Sequence, residues 1–505
     1  MNRKFLILGG FVLFVWIVIL IGEFFIKEKI KVTLEQNLPP HSSINDYNIH
    51  LSLLQRKLTF ENLEIVFYSK EINPDTLQLK KLELSGIGYF KLLFSDKIVI
   101  NSLNLEGVNW TNYQRSIANP KPKKINLEKE IEVKKLVFKD LNLNFLDSLG
   151  QTLTKINDLS MEMDGLFTDE SWLKRPIPFK YQTVNMVTGR VEAPLNPYDV
   201  FSFEKLQLSH DQLEIHNLSI ETQGAKEELS FHIETERDHT DLKIPILTIS
   251  GFEFGTSDSL FFVTNKKITI NNPVLQVYRD KTVEDDLRVK PLYSKAIREL
   301  PFLLTTDSVL VKEASITYEE KMQPDHPAGK LFFKNLNATI IDLSNTYESG
   351  EKVTVIRVTS DFLNSSQLET VWEFDTTNLL DDFSFAGQVT GLNASDINRF
   401  SQPNIGLNFE GHIKKVYFNI SGNHLNSSVD FRINYDEFSV YWVTDKKRNK
   451  LLSALTNILV KQDSDTNSGY FREGKATVQR NLNKSFFNYL WINLEGGLKE
   501  TMTIL

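Results

Sequence analysis

Residues 131–145 read IEVKKLVFKDLNLNF, with apolar side chains at Ile131, Val133, Leu136, Phe138, Leu141, Leu143 and Phe145. Steps of two alternate with steps of three. A step of two keeps side chains on one face of a strand, and a step of three sends the next to the other face. For one face to stay buried, each interposed pair, Lys134 with Lys135 and Lys139 with Asp140, must hide a bulge, a bend or a tight turn that restores the phase. A helix sets residues two apart at about 200°, so these pairs cannot share a helical stripe.

The rhythm recurs. It runs through Leu58, Phe60, Leu63, Ile65 and Phe67; through Leu77, Leu79, Leu82, Leu84 and Ile87; and through Ile98, Ile100, Leu103, Leu105, Val108 and Trp110. It returns in Leu213, Ile215, Leu218 and Ile220, and in Leu331, Phe333 and Leu336. The interposed pairs are rich in Asn and charge, which tolerate turns. The reading is a mainly β chain whose long, curved, largely antiparallel sheet is apolar on one face. Two arrangements satisfy that pattern. In a closed sandwich or barrel the apolar face packs on a second layer. In an open trough a lipid covers it, since apolar surface left in water costs roughly 25 cal/mol per Å².

Composition agrees. The 505 residues contain no Cys, 35 Phe, 41 Asn and 11 Ala, which excludes disulfide scaffolds and thiolate chemistry and disfavours a large helical protein. A net charge of -8 offers no footprint for nucleic acid. The apolar run FLILGGFVLFVWIVILIGEFFI, residues 5–26, reaches about 33 Å as a helix and is long enough to span a bilayer. Arg3 and Lys4 before it place the N-terminus in the cytoplasm, against opposing Lys27, Lys29 and Lys31. The first Ala is Ala118, so no small-residue cleavage site follows the run.

Helices are expected near 291–300, 447–461 and 484–500. The second carries Leu451, Leu452, Leu455, Ile458 and Leu459; the third carries Phe486, Phe487, Leu490, Trp491, Leu494 and Leu498 as one stripe, read as a lid on the sheet. The pair His210 and His216 is placed on one strand face without metal ligands beside it, and Asp285, Asp286, Asp381 and Asp382 are read as solvated loops. No Gly-x-Ser-x-Gly elbow, His-Glu-x-x-His helix or phosphate-binding Gly loop occurs. The expectation is a protein that is not an enzyme, with no catalytic residues, no cofactor and no metal.

An apolar anchor followed at once by LQRKLTFENLEI and KLELSGIGYFKLLFSDKIVINSLNLEGVNW resembles the AsmA-like proteins of Gram-negative envelopes. Tyr293–Asn345 is similar to their central block, and the stretch from FAGQVTGLNASDINRF at 385 to KSFFNYLWINLEGGLKE is similar to their closing part. The resemblance implies an inner-membrane, single-pass protein with its bulk in the periplasm, related to bridge-like lipid-transfer proteins. It implies a cytoplasmic tail (1–4), a transmembrane anchor (5–26), β-groove regions (27–285 and 286–445) and a closing amphipathic segment (446–505). The implied partners are a phospholipid or other acyl lipid, the inner membrane, and a periplasmic or outer-membrane protein that completes the path, with no nucleic acid. The competing class is a self-filled β-scaffold for outer-membrane assembly. The groove candidates are Ile98, Ile100, Leu103, Leu105, Leu136, Phe138, Leu141, Leu143, Phe145, Leu213, Ile215, Leu218, Ile220, Leu331, Phe333 and Leu336.

Overall fold

A computed structural model describes residues 22–36, 38–39, 41–45, 47–68, 73–88, 91, 94–113, 127, 129–364, 366–444, 447–448, 464 and 470–502. The described chain is mainly β and divides into two compact units. The first holds the described residues up to Pro194 with Ser202–Leu213 and Gly255–Phe261; the second holds Leu195–Phe201, Glu214–Phe254 and the described residues from Phe262 onward.

In the first unit β1 (Lys57–Phe67), β2 (Asp75–Ser85), β3 (Lys97–Tyr113), β4 (Glu130–Leu146) and β5 (Thr152–Thr168) lie side by side in chain order. Neighbours are antiparallel except β3 and β4, which run parallel. The second unit contains β6 (Asp238–Ser250), β7 (Leu260–Asn271) from Phe262 onward, β8 (Val274–Asp280) and β9 (Leu303–Lys321), with β7 and β8 both parallel to β9. An antiparallel meander follows through β10 (Gly329–Ser344), β11 (Thr354–Phe362), β12 (Ser366–Phe374), β13 (Phe383–Asn393), β14 (Leu407–Gly422) and β15 (Asn426–Thr444), and β16 (Arg472–Gln479) pairs back on β15. The expected largely antiparallel sheet is therefore mixed. Parallel neighbours need a long connection, and sixteen residues separate β3 from β4 in the sequence.

The phase is restored by left-handed residues set in rows. In the β1–β2 ladder Glu61 pairs with Lys81 and Leu63 with Leu79, so Asn62 and Lys80 face each other across an interruption. The same interruption continues to Gly107 on β3 and Asp140 on β4. Asn62, Gly107 and Asp140 have φ of 55°, 63° and 55°, while Lys80 between them stays out of the left-handed region. A second row crosses the sheet at Gly86, Asn101, Lys134 and Gly165, with φ of 66° and 64° at the two glycines. In both rows antiparallel neighbours alternate between left-handed and ordinary backbone, and the parallel pair matches. The second unit repeats this at Gly251, Lys266, Asp307 and Asp342, with Gly251 and Asp342 left-handed. Because every strand gives up one residue at the same place, register survives and the apolar steps resume on the same face. The sequence puts Asn, Asp or Gly there because these tolerate positive φ with least strain. Gly107 is further constrained, since a Cβ on it falls 2.8 Å from the Cβ of Lys80.

The longer helices among the described residues are α1 (residues 22–36), α2 (Tyr293–Arg298), α3 (Asn398–Ile405) and α4 (Phe486–Met502). Residues 1–4 and 5–21 of the expected tail and anchor lie outside the described residues. Among the described residues no helix is long and apolar enough to cross a membrane. Residues 449–461 of the expected middle helix also lie outside, and Lys447–Arg448 form a short β pairing with Val443 and Thr444 instead. Helix α3 escapes sequence reading because NRFSQPNI has no apolar period; it ends at left-handed Gly406.

Helix α4 closes the core of the second unit, but its apolar residues do not form one stripe. Phe486, Tyr489, Leu490, Asn493, Gly497 and Thr501 are buried, whereas Phe487 and Trp491 are 65% and 55% exposed. The Phe486 ring stacks on Trp372 with centroids 4.3 Å apart and meets Phe383 edge-on at 5.2 Å. Gly497 allows the helix to close on β15, since a Cβ there falls 2.6 Å from the Cβ of Phe431.

Two outcomes follow for urea unfolding. Asn62→Gly leaves the midpoint nearly unchanged, while Asn62→Val lowers stability by about 1–3 kcal/mol because a branched side chain strains a left-handed residue; equal midpoints for the two variants refute the crease. Phe486→Ala costs about 3–5 kcal/mol and Phe487→Ala less than about 0.5.

Candidate functional site

The ladders of the first unit align its apolar residues in rows across the strands. One row runs Phe60, Leu82, Leu105, Phe138, Met161, Met186 and Leu208. The next runs Leu58, Leu84, Leu103, Leu136, Met163 and Val184. Beyond the first crease lie Leu63, Leu79, Val108, Leu141 and Leu159, then Ile65, Leu77, Trp110, Leu143 and Ile156. Beyond the second lie Ile100, Val133 and Leu166. Leu82, Leu105 and Leu141 pack on one cluster with Leu63, Leu79 and Val108, so rows on both sides of the first crease share a face.

These rows are only partly covered. Phe60, Leu63, Leu79, Ile100, Val108, Val133, Leu136, Met163, Val184 and Leu208 are buried, whereas Ile98, Leu103, Leu105, Phe138, Leu141, Leu143 and Phe145 are half-buried and Trp110 is 38% exposed. The packing partners of Leu63, Leu79 and Val108 come from the same sheet and from Ile44 and Tyr47 beside it. The intervening residues are polar: the row Glu61, Lys81, Glu106 and Lys139 alternates in sign, and Lys57 and Lys81 each reach Glu83 at 2.9 Å. Such exposed pairs are worth about 0–1 kcal/mol each and chiefly set register.

The remaining candidates are divided. Leu213 belongs to the first unit and Ile215, Leu218 and Ile220 to the second; Leu213 and Leu218 are buried. Leu331, Phe333 and Leu336 sit on β10 and are half-buried. Leu331 packs against the closed core of the second unit, and the rings of Phe333 and Phe362 are 5.1 Å apart. The structure therefore gathers the candidates between Ile98 and Phe145 into one apolar face but sets Leu331 against a filled core.

Of the four Asp expected in solvated loops, Asp285 and Asp382 are exposed, but Asp286 and Asp381 are pinned. Asp381 is buried, accepting from Ser294 Oγ and Arg298 Nη2, both at 2.9 Å. Asp286 is buried too; hydrogen bonds from the Arg288 side chain and backbone hold its carboxyl down at about 2. His210 lies in the turn between two strands with φ of 53°, so it does not share a strand face with His216. Among the described residues no group of three or more His, Cys, Asp or Glu is placed to hold a metal. The most buried ion cluster is structural: Glu236 accepts from Lys281 at 2.6 Å and Lys484 at 3.0 Å, and Lys484 also reaches Asp285. No family model and no curated protein matches this chain.

Burial pushes the Glu236 carboxyl up, but hydrogen bonds from Lys281 and Lys484 outweigh it and hold the group below its usual range. The stabilisation is thus present above about pH 4.3, the unfolded value, and is lost as pH falls through the lower folded value. Glu236→Gln is expected to lower the urea midpoint at pH 7 by an amount equivalent to about 3–5 kcal/mol, with the deficit shrinking below about pH 4. A deficit independent of pH refutes the ionic account.

Proposed function

We propose that this chain carries acyl lipids, phospholipid foremost, along the apolar face of its first unit as an AsmA-like envelope protein. It is anchored in the bacterial inner membrane by residues 5–26, with its N-terminus in the cytoplasm and its bulk in the periplasm. The observation that supports the reading is a set of apolar rows, kept in phase across two creases, in which Leu103, Leu105, Phe138, Leu141 and Leu143 stay half-buried beside buried neighbours such as Leu63, Leu79 and Val108. Acyl chains laid on the rows complete that burial, and head groups stay in water. Holding is distributed and weak at each residue, which suits a carrier that must release its cargo. No reacting group is needed, so the reading is of a surface and not of an enzyme. A partner protein that completes the path belongs to the same proposal.

A second reading, a self-filled scaffold for outer-membrane assembly, is favoured by the closed aromatic core under α4. Purifying the full chain and extracting bound lipid separates the two. The carrier reading expects phospholipid in the native protein and its loss, by about tenfold or more, from Leu136→Asp and Leu141→Asp, which put a charge on the apolar face. A lipid-free protein that unfolds cooperatively refutes it in favour of the scaffold.

A further inference from the structure

Four loops of the second unit are stitched side by side by hydrogen bonds. The Lys290 N–H donates to Leu482 O at 2.9 Å, and the Lys290 carbonyl accepts from Arg480 Nη2 at 2.5 Å. The Arg480 N–H in turn donates to Leu425 O at 2.8 Å. His424, beside Leu425, donates to Leu380 O from its backbone at 3.2 Å and from ring Nδ1 at 2.8 Å. The loops that carry Leu287, Leu380, Leu425 and Leu482 are therefore neighbours at one end of this unit.

Their outward side chains are aliphatic. Leu287, Val289, Leu379 and Leu380 are 75%, 71%, 78% and 57% exposed, and Leu425 and Leu482 are exposed beside them. Three of the four loops are fixed by the same device, a side-chain oxygen that captures the amide two residues on. Asp286 Oδ1 accepts from Arg288 N at 3.1 Å, Asn378 Oδ1 from Leu380 N at 2.8 Å, and Asn423 Oδ1 from Leu425 N at 2.9 Å. Arg288 also grips Asp286 through Nε and Nη2, both at 2.9 Å, and so holds out Leu287 and Val289 on either side of it. Aliphatic tips kept rigidly in water carry a cost that a partner removes, and a backbone ordered in advance lowers the entropy lost on binding.

The size and the rim of the patch identify the occupant. Six aliphatic side chains at these exposures present on the order of 400 Å² of apolar surface. An interface is about 60% apolar, so such a patch corresponds to roughly 700 Å² per copy. Two copies then bury roughly 1,400 Å², inside the span of about 1,200–2,000 Å² of a stable complex. The rim carries both signs, with Arg288 exposed on one side and Glu284 and Asp382 exposed beside it. A mixed rim is self-complementary under a two-fold axis, whereas its carboxylates disfavour an anionic bilayer. We propose that these loop tips are the contact through which two copies of this chain pair. The proposal stands apart from the carrier reading.

The test is sedimentation velocity of the full-length chain in detergent micelles over a dilution series, with urea unfolding of each variant as the check on folding. The expected result is a dimer at about 10 μM that dissociates on dilution. Leu287→Asp combined with Leu379→Asp weakens dimerisation by about hundredfold or more, because two carboxylates must be desolvated to close the interface. The same variant leaves the urea midpoint of the dissociated chain unchanged, since both side chains stand in water there. Leu149→Asp, at an 83% exposed leucine of the first unit, leaves the dimer intact. A native chain that is monomeric at about 100 μM overturns the pairing and leaves the tips to a different protein or a bilayer. A dimer that survives the double variant overturns it by placing the contact between copies elsewhere.

Discussion

A strand can hide only every second side chain, and the whole molecule is organised by how it escapes that limit. Its apolar residues step by two and then by three, which in an unbroken strand exposes half of them. Left-handed residues at Asn62, Gly107 and Asp140 release one residue from the ladder and return the next apolar side chain to the same face. The device works because it is shared. Were one strand alone to bulge, its register against both neighbours would slip and reverse every side chain beyond. Aligning the interruption across β1 to β4 turns a local defect into a crease.

The two units complete the resulting apolar face in different ways. In the second, α4 lays Phe486, Tyr489 and Leu490 on the sheet, and the Trp372, Phe383 and Phe385 rings close around Phe486. In the first, the described packing partners of the central cluster belong to the same sheet and the short segment beside it. Taking a Leu side chain from full exposure to full burial is worth about 1.5–3 kcal/mol, so a half-buried leucine keeps only a fraction of that gain for an apolar molecule that lies on it. That difference in covering, not a difference in strand chemistry, separates the two functional readings.

Much of this was legible in the sequence. The rhythm of residues 131–145 required a break within the pair Lys139 and Asp140, and Asp140 is left-handed. The same reasoning at Lys134 found the break without its conformation, because there the left-handed residue is Gly165 on the facing strand. The closing helix was visible, but its faces were not: Phe486 and Phe487 look alike in sequence, and only Phe486 meets Trp372. Asp286 and Asp381 looked like solvated turns because a loop's partners are invisible until the chain folds back.

Sequence alone thus determined the strands, the shared apolar face and the places where alternation must break, since all three follow from the local geometry of a pleated backbone. It left open which residue of each facing pair turns left-handed, which strands run parallel, and which part of the apolar face is filled. Those depend on contacts between residues far apart in the chain. Gly107 against the Cβ of Lys80 and Phe486 against Trp372 are such contacts, and no periodicity within a single strand encodes them.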